Sequence, residues 1–105
     1  MSFTAWDAHP EIVRKAIEMA AEYCGTDPEQ VLGKRRYRSV ARARQIAMAL
    51  VREGTDMSLQ EIAERFHRDG STVVYAVRVV AKARQENSGF DRSYQRFMDV
   101  LRAAA

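Results

Sequence analysis

The sequence has little of what stabilises a small extracellular protein or anchors a protein in a membrane. Its 105 residues include one cysteine, Cys24, so no disulfide can form within the chain. This fits a reducing compartment, and we expect the cytoplasm. No run of about 18 uninterrupted apolar residues is present, so we expect no membrane span. The first residues, MSFTAWDAHPE, lack the basic start and apolar run of a signal peptide.

Proline and glycine are also scarce, with two and five residues respectively. This composition favours a few long helices over many tight turns. Hydrophobic residues make up 47% of the chain and charged residues 30%, which is typical of a globular protein. A chain of this length can bury a core without disulfides or metals. We therefore predict one domain over residues 1–105, with residues 1–8 as an N-terminal tail.

Acidic residues are absent from one segment, between Lys34 and Arg44. Six of its eleven residues are basic, and the chain as a whole carries a net charge of +3. The six are Lys34, Arg35, Arg36, Arg38, Arg42 and Arg44. Such local density attracts polyanions. A run of charge is also typical of a solvated surface, so this segment alone leaves both interpretations open.

Apolar spacing predicts an all-α fold, a compact bundle of about five to six helices. The first helix runs from Pro10 to a stop at Gly25, and a short second helix follows the cap signal Thr26-Asp27-Pro28. Ser39 is the predicted cap of the third helix, which Gly54 closes. One face of that helix is predicted to be apolar: Val40, Ala43, Ala47, Leu50 and Val51.

The next two helices have helix-turn-helix spacing. A capping box at Ser58 and Glu61 begins a helix over 59–66. A four-residue turn, 67–70, precedes a further helix whose predicted apolar stripe is Val73, Val74, Val77, Val80 and Ala81. A strand over 72–80 is the alternative, because valine lowers helix propensity. The last helix begins after a break at Ser88-Gly89, and its predicted seam is Tyr94, Phe97, Met98 and Leu101.

In a helix-turn-helix the second helix leads into the DNA major groove with its N-terminal residues. Here those residues are Gly70, Ser71 and Thr72, preceded by Arg68 and Asp69. Small hydroxyl side chains at a helix start permit a close approach to base edges or a phosphate. An ordinary helical hairpin with a good cap would look similar, but the basic segment in the same short chain favours DNA binding.

Three sequence blocks carry a family resemblance: RSVARARQIAMAL from Arg38, SLQEIA from Ser58 and RDGSTV from Arg68. Together they resemble the C-terminal DNA-binding domain of the bacterial replication initiator DnaA, over roughly residues 10 to 102. The resemblance implies an all-helical fold with a central helix-turn-helix. It also implies binding to short duplex sites at replication origins and some promoters.

The resemblance implies roles for individual residues. Arg36 is expected in the minor groove with Arg38 close by, and Arg44 and Gln45 match a pair that approaches the backbone and groove. Phosphate contacts are expected from Lys34, Arg35, Arg42 and Arg44, and major-groove contacts from Arg68, Asp69, Ser71 and Thr72. Leu59, Gln60 and Gly70 complete the predicted DNA-binding set.

The chain departs from the family pattern in the block that is expected to contact bases. Gly70 stands where the family has a histidine, Ser71 where it has a threonine, and His67 replaces a glycine pair in a turn one residue shorter. Each lost base contact of this kind removes about 1–3 kcal/mol of discrimination. The phosphate-binding motif of the initiator's ATPase is also missing, because Gly33-Lys34 is followed by Arg35. We therefore expect no ATPase activity from this chain, which is either an excised domain or a stand-alone protein. Its first residues, MSFTAWDAHPE, resemble neither a tag nor a cut within a protein, so we expect a stand-alone protein.

Other candidate sites are weak. His9, His67 and Cys24 lack metal-ligand spacing, so we expect no metal and no cofactor. Cys24 is predicted to be core, and Trp6 to pack on the core. The predicted function is sequence-influenced binding of double-stranded DNA, as a monomer, in replication initiation or its regulation. The alternatives are a protein-interaction regulator that binds the replication initiator or its regulators, and a transcription regulator with its own operator.

Overall fold

The fold is described for residues 10–34 and 37–104 in a computed structural model. All regular structure in these two ranges is helical: α1 (Pro10–Cys24), α2 (Pro28–Val31), α3 (Arg38–Gly54), α4 (Leu59–Phe66), α5 (Gly70–Glu86) and α6 (Ser88–Ala104). The all-α prediction is confirmed, and the strand alternative for 72–80 is wrong. None of these helices is both long and apolar enough to cross a bilayer. The predicted tail, Trp6, His9, Arg35 and Arg36 lie outside the described residues.

The connection from α1 to α2 follows the predicted signals. Gly25 ends α1 in the left-handed region, at φ 71°, where glycine is favoured. The Thr26 N–H then donates to the Ala21 carbonyl at 2.9 Å, which satisfies a carbonyl of the last helical turn. Asp27 caps α2 by accepting a hydrogen bond from the Glu29 N–H at 3.0 Å.

Helix α3 lies at the centre of the protein and contacts every other helix of the described chain. Six consecutive residues, 46–51, are buried, so this helix is enclosed on all sides at its middle. All residues of the predicted apolar face are buried, so that prediction is confirmed, but the buried surface of the helix is wider than predicted. The predicted cap is wrong: α3 begins at Arg38, with Tyr37 at the N-cap position, so Ser39 already lies in the first turn.

Helix α4 has the predicted bounds and the predicted capping box. The Ser58 hydroxyl accepts from the Glu61 N–H at 3.1 Å, and the Glu61 carboxylate accepts from the Ser58 N–H at 2.9 Å. Ile62, Ala63 and Phe66 are buried. Because both hydrogen bonds are local, the sequence alone was sufficient to predict where this helix begins.

Helix α5 buries two residues of the predicted stripe, Val73 and Val80, and one residue outside it, Ala76. Val73, Ala76 and Val80 are buried, whereas Ala81 is exposed and Val77 only half-buried. Ala76 lies three residues after Val73 and four before Val80, so the three side chains share one face at helical spacing. Because the segment is rich in valine, the predicted buried face included valines that are only partly buried.

Helix α6 begins one residue after Asn87, whose side-chain oxygen accepts from the Phe90 N–H at 2.9 Å. Ser88 and Gly89 therefore start the helix rather than breaking it. Phe90 joins the predicted residues Tyr94, Met98 and Leu101 in the core, and Phe97 is half-buried.

A polar cluster fastens α6 to α3 and α5. The hydroxyl of Tyr94 donates to the Glu53 carboxylate, and the Arg84 guanidinium lies over the Tyr94 ring at 4.4 Å. Arg84 also donates to Asp91 at 2.6 Å. Burial, reinforced by the bond to Glu53, raises the pKa of Tyr94. The phenol is thus held in its protonated form.

Candidate nucleic-acid interface

The turn between α4 and α5 is three residues long, 67–69, so Gly70 is the first residue of α5 rather than part of the turn. His67 adopts the left-handed conformation at φ 57°, which most L-residues avoid. The following N–H, from Arg68, donates to the Ala63 carbonyl at 2.8 Å. His67 therefore occupies the helix-ending position that glycine usually fills, and its prediction as a turn residue is confirmed.

Polar groups are concentrated at the N-terminal tip of α5. Asp69 occupies the N-cap position and is exposed, but its side chain makes no capping hydrogen bond. Ser71 is exposed and Thr72 half-buried. A Cβ added at Gly70 would meet nothing within 4 Å. The tip therefore offers carboxylate and hydroxyl oxygens beside an open space.

Arg68 joins this tip to the start of the basic segment. Its guanidinium donates to the Gly33 carbonyl at 2.8 Å and to the His67 carbonyl at 3.0 Å. Gly33 immediately precedes Lys34, the first basic residue of the segment. A hydrogen bond between residues this far apart in sequence fixes the relative position of the two predicted DNA-contacting regions.

Arg44 lies inside the protein, with only 6% of its surface exposed. Its Nε donates to the Val31 carbonyl at 2.7 Å and its Nη2 to the Gly33 carbonyl at 3.0 Å. The expected phosphate contact is corrected accordingly: Arg44 holds the last residue of α2 and Gly33 in place through their carbonyls. The sequence held a signal for this, because Arg44 lies four residues after Val40 and three before Ala47, within the apolar stripe.

The other described basic residues of the segment, Lys34, Arg38 and Arg42, are exposed. The Arg42 guanidinium lies 5.5 Å from the centre of the Phe90 ring and 6.0 Å from that of Tyr23. Packing on two rings limits the positions that this cation can take. Arg42 is therefore oriented while its charge remains at the surface.

A groove separates the start of α3 from the second half of α5. Its lining on the α3 side includes Arg38, Arg42 and the half-buried Gln45, and on the α5 side Val79 and Ala83. None of the described residues lining this groove is acidic. The cationic side chains of Arg38 and Arg42 therefore lie along one side of α5, in addition to the cationic side chains near its N-terminal tip.

The remaining predicted residues are placed differently. Leu59 is half-buried and Gln60 exposed in the first turn of α4, roughly 11 Å along that helix from the turn. No described contact joins them to the tip of α5. Cys24 is half-buried at the end of α1, and burial raises its pKa. No group of three potential metal-binding side chains occurs in the described ranges.

The amino-acid sequence is similar to that of one bacterial protein family. The family model described as bacterial dnaA protein helix-turn-helix matches residues 13–80. Proteins named chromosomal replication initiator protein DnaA, from Neisseria meningitidis serogroup C and from Neisseria gonorrhoeae, are 38% identical to this chain over 86 residues. The match covers 81% of this chain and 17% of each relative, so the chain spans less than a fifth of their length.

Proposed function

Because the chain belongs to the bacterial DnaA helix-turn-helix family, we propose that it binds duplex DNA in replication initiation or its regulation, without an ATPase activity of its own. The proposed targets are sites at replication origins, which the protein recognises partly by their base sequence. The proposed binding unit is a monomer in the cytoplasm, where the bacterial chromosome lies.

The hydrogen bond from Arg68 to the Gly33 carbonyl is the main support for this proposal. It holds the beginning of the basic segment beside the tip of α5. A duplex lying against that tip would therefore also meet Lys34. The groove lined by Arg38 and Arg42 extends the positive surface along α5.

In the proposed complex, cationic side chains bind the DNA backbone, and the N-terminal tip of α5 contacts the bases. Lys34, Arg35 and Arg42 contact phosphates, while Arg36 and Arg38 enter or line the minor groove. The Asp69 carboxylate accepts from a base amino group, and the Ser71 and Thr72 hydroxyls contact base edges or a phosphate. Arg68 acts chiefly by bracing the segment.

Fluorescence anisotropy with a labelled duplex of about 20 base pairs tests the proposal. If about five phosphates are neutralised, the logarithm of the binding constant should fall with the logarithm of salt concentration at a slope near −4 to −5. Arg38→Gln should weaken binding, whereas Arg14→Gln, which removes the same charge from the exposed surface of α1, should not. Absence of binding at low salt would remove the proposal.

Selection of bound sequences from random duplex DNA tests the reading role. Arg36→Ala should weaken binding to all sequences, and Thr72→Ala should instead relax the sequence preference. An equal loss on every sequence for Thr72→Ala would contradict its assignment.

The second candidate is a regulator that binds the replication initiator or its regulators directly. The glycine at position 70 favours it, because this tip lacks one side chain of the family's reading block. Pull-down from a nuclease-treated bacterial extract separates the candidates, since partners bridged by DNA are lost and direct partners remain.

A further inference from the structure

One side of the protein, formed by α1 and α6, exposes apolar side chains that the fold leaves uncovered. Two large apolar residues are exposed there, Tyr23 at 41% and Val100 at 42%. The partly buried Met19 and Phe97 line a shallow groove between the two helices together with Tyr23. Val100 lies three residues after Phe97, so it continues this groove along α6. We call these four residues the α1/α6 face.

The ring of Tyr23 is held in place on this face although it is exposed. Its centre lies 5.8 Å from the centre of the Phe90 ring and 5.8 Å from that of Phe97. Both spacings are favourable for aromatic pairs. Tyr23 therefore presents a fixed apolar surface to a partner, which would lose little side-chain freedom on binding.

Charges of opposite sign border the two sides of the α1/α6 face. On α1, Glu18 and Glu22 are exposed and lie four residues apart, so they share one edge. On α6, Arg92 and Arg96 are exposed at the same spacing. Glu22 and Arg96 line the same groove, which places the acidic and the basic edge at one level. None of the four residues forms an ion pair within the described chain.

This arrangement of charge is complementary to itself. When a second copy is turned by half a turn about an axis along the groove, the α1 edge of each copy meets the α6 edge of the other. Each acidic edge then lies against a basic edge. Turning the copy about the perpendicular axis would bring acidic against acidic and basic against basic. The charges therefore favour a second copy of the chain in the first orientation.

The α1/α6 face is small, so pairing of free chains should be weak. Helix α1 has 15 residues and is about 22 Å long. With packed helices about 8–10 Å apart, the face offers about 400 Å² per copy. Stable complexes bury about 800 Å² per partner, so we expect a dissociation constant on the order of 0.1–1 mM. Such weak pairing is compatible with a monomer as the DNA-binding unit.

We infer that the α1/α6 face is a weak two-fold interface between two copies of this chain. Rotation about an axis along the groove keeps every residue at its own level. The Arg42 guanidinium lies 6.0 Å from the centre of the Tyr23 ring, near the last turn of α1. The Arg42 side chains of the two copies therefore lie at the same end of the pair. This inference goes beyond the proposed function and does not depend on it.

The test mixes two variants of the full chain, each with the same sign of charge on both edges. Glu18→Arg/Glu22→Arg makes both edges basic, and Arg92→Glu/Arg96→Glu makes both edges acidic. Each variant alone should fail to pair, because its edges repel those of a second copy. An equimolar mixture should pair at least as strongly as the unaltered chain, because every edge again meets the opposite charge.

Nuclear magnetic resonance of the isotope-labelled chain measures the pairing without DNA. On dilution from about 1 mM to about 0.05 mM, which spans the expected dissociation constant, the unaltered chain should shift amide signals of α1 and α6. The equimolar mixture should shift the same signals. Raising the salt concentration to about 0.5 M should weaken both pairings, because the ion pairs are exposed.

A matched control separates pairing of these edges from attraction between net charges. Glu64→Arg/Glu86→Arg changes two exposed glutamates of α4 and α5 and gives the same net charge as Glu18→Arg/Glu22→Arg. The control alone should pair like the unaltered chain. Mixed with Arg92→Glu/Arg96→Glu it should pair less strongly than the basic-edged variant does, because one of the two edge contacts is then repulsive.

The apolar part of the face is tested at Val100, which is exposed and does not contribute to the core. Val100→Ser should weaken pairing of the otherwise unaltered chain by roughly threefold to tenfold, because both copies lose apolar contact area. Circular dichroism verifies that each variant is folded.

Three outcomes would overturn the inference. The first is an equimolar mixture of the basic-edged and acidic-edged variants that does not pair. The second is equal pairing in the control mixture, which would assign the attraction to net charge. The third is a set of concentration-dependent shifts outside α1 and α6. Because no DNA is present, each of these outcomes leaves the proposed function untouched.

Discussion

Arg44 and Arg68 donate hydrogen bonds to the same atom, the backbone carbonyl oxygen of Gly33, at 3.0 and 2.8 Å. One arginine reaches it from the interior of α3 and the other from the turn after α4. The residue that precedes the basic segment is thereby held from both sides. The two arginines share one contact but differ in exposure, so their substitution should have different consequences.

Arg68→Ala should weaken duplex binding without changing its salt dependence. The guanidinium bonds to the Gly33 and His67 carbonyls, so its loss releases the start of the basic segment. Reordering about one residue on binding costs 1–2 kcal/mol, or roughly tenfold in affinity. Anisotropy titrations at several salt concentrations measure both quantities. A slope less steep by about 1 would show instead that Arg68 contacts a phosphate.

Arg44→Ala should destabilise the fold by about 3 kcal/mol, because hydrogen bonds to a charged group contribute about 1.5–3 kcal/mol each and buried methylenes are lost as well. Urea unfolding monitored by circular dichroism measures this change. The control is Arg42→Ala, which removes an exposed guanidinium two residues earlier and should cost less than about 1 kcal/mol. Similar losses for the two variants would contradict the structural role of Arg44.

Gly70→His should narrow the sequence preference while leaving stability within about 0.5 kcal/mol of the unaltered chain. A side chain at this position meets no neighbouring atom within 4 Å, so the imidazole can project from the tip of α5. One restored base contact discriminates by about 1–3 kcal/mol. Selection from random duplex DNA measures the change. Gly70→Ala supplies the Cβ without hydrogen-bonding groups, and the same narrowing in that control would refute the explanation.

The Tyr94 hydroxyl should make stability depend on alkaline pH. Its pKa is raised in the folded protein by burial and by the Glu53 bond, whereas in the unfolded chain it ionises near about pH 10. The stabilising contribution is therefore fully present below about pH 10 and is lost as pH rises further, by about 1.4 kcal/mol per pH unit.

Urea unfolding of the unaltered chain and of Tyr94→Phe, from neutral pH to about pH 11, isolates this contribution from the titration of lysines. The variant should be less stable at neutral pH, because Glu53 loses its hydrogen-bond donor. The difference between the two proteins should shrink above about pH 10. Parallel curves over the whole range would exclude the mechanism.

Local signals were sufficient for some elements and insufficient for others. The bounds of α4 could be predicted because Ser58 and Glu61 are three residues apart and satisfy each other's backbone groups. The apolar register of α3 indicates that Arg44 faces the core, but its hydrogen-bond partners are carbonyls 11 and 13 residues earlier, which that local pattern does not contain. The bond between Arg68 and Gly33 spans 35 residues. Long-range contacts of this kind position the residues of the candidate site. The sequence therefore predicts which residues belong to the site, but not which of them contact DNA and which hold other residues in place.

Helix α6 lies beyond residue 80, where the match to the family ends, yet Phe90, Tyr94 and Leu101 are among the most deeply buried side chains of the chain. A recombinant fragment trimmed to the matched region would expose the apolar surfaces of α1, α3 and α5 that α6 covers. Such a fragment should precipitate or misfold rather than report weak DNA affinity. The smallest piece suitable for biochemistry therefore extends at least to Leu101.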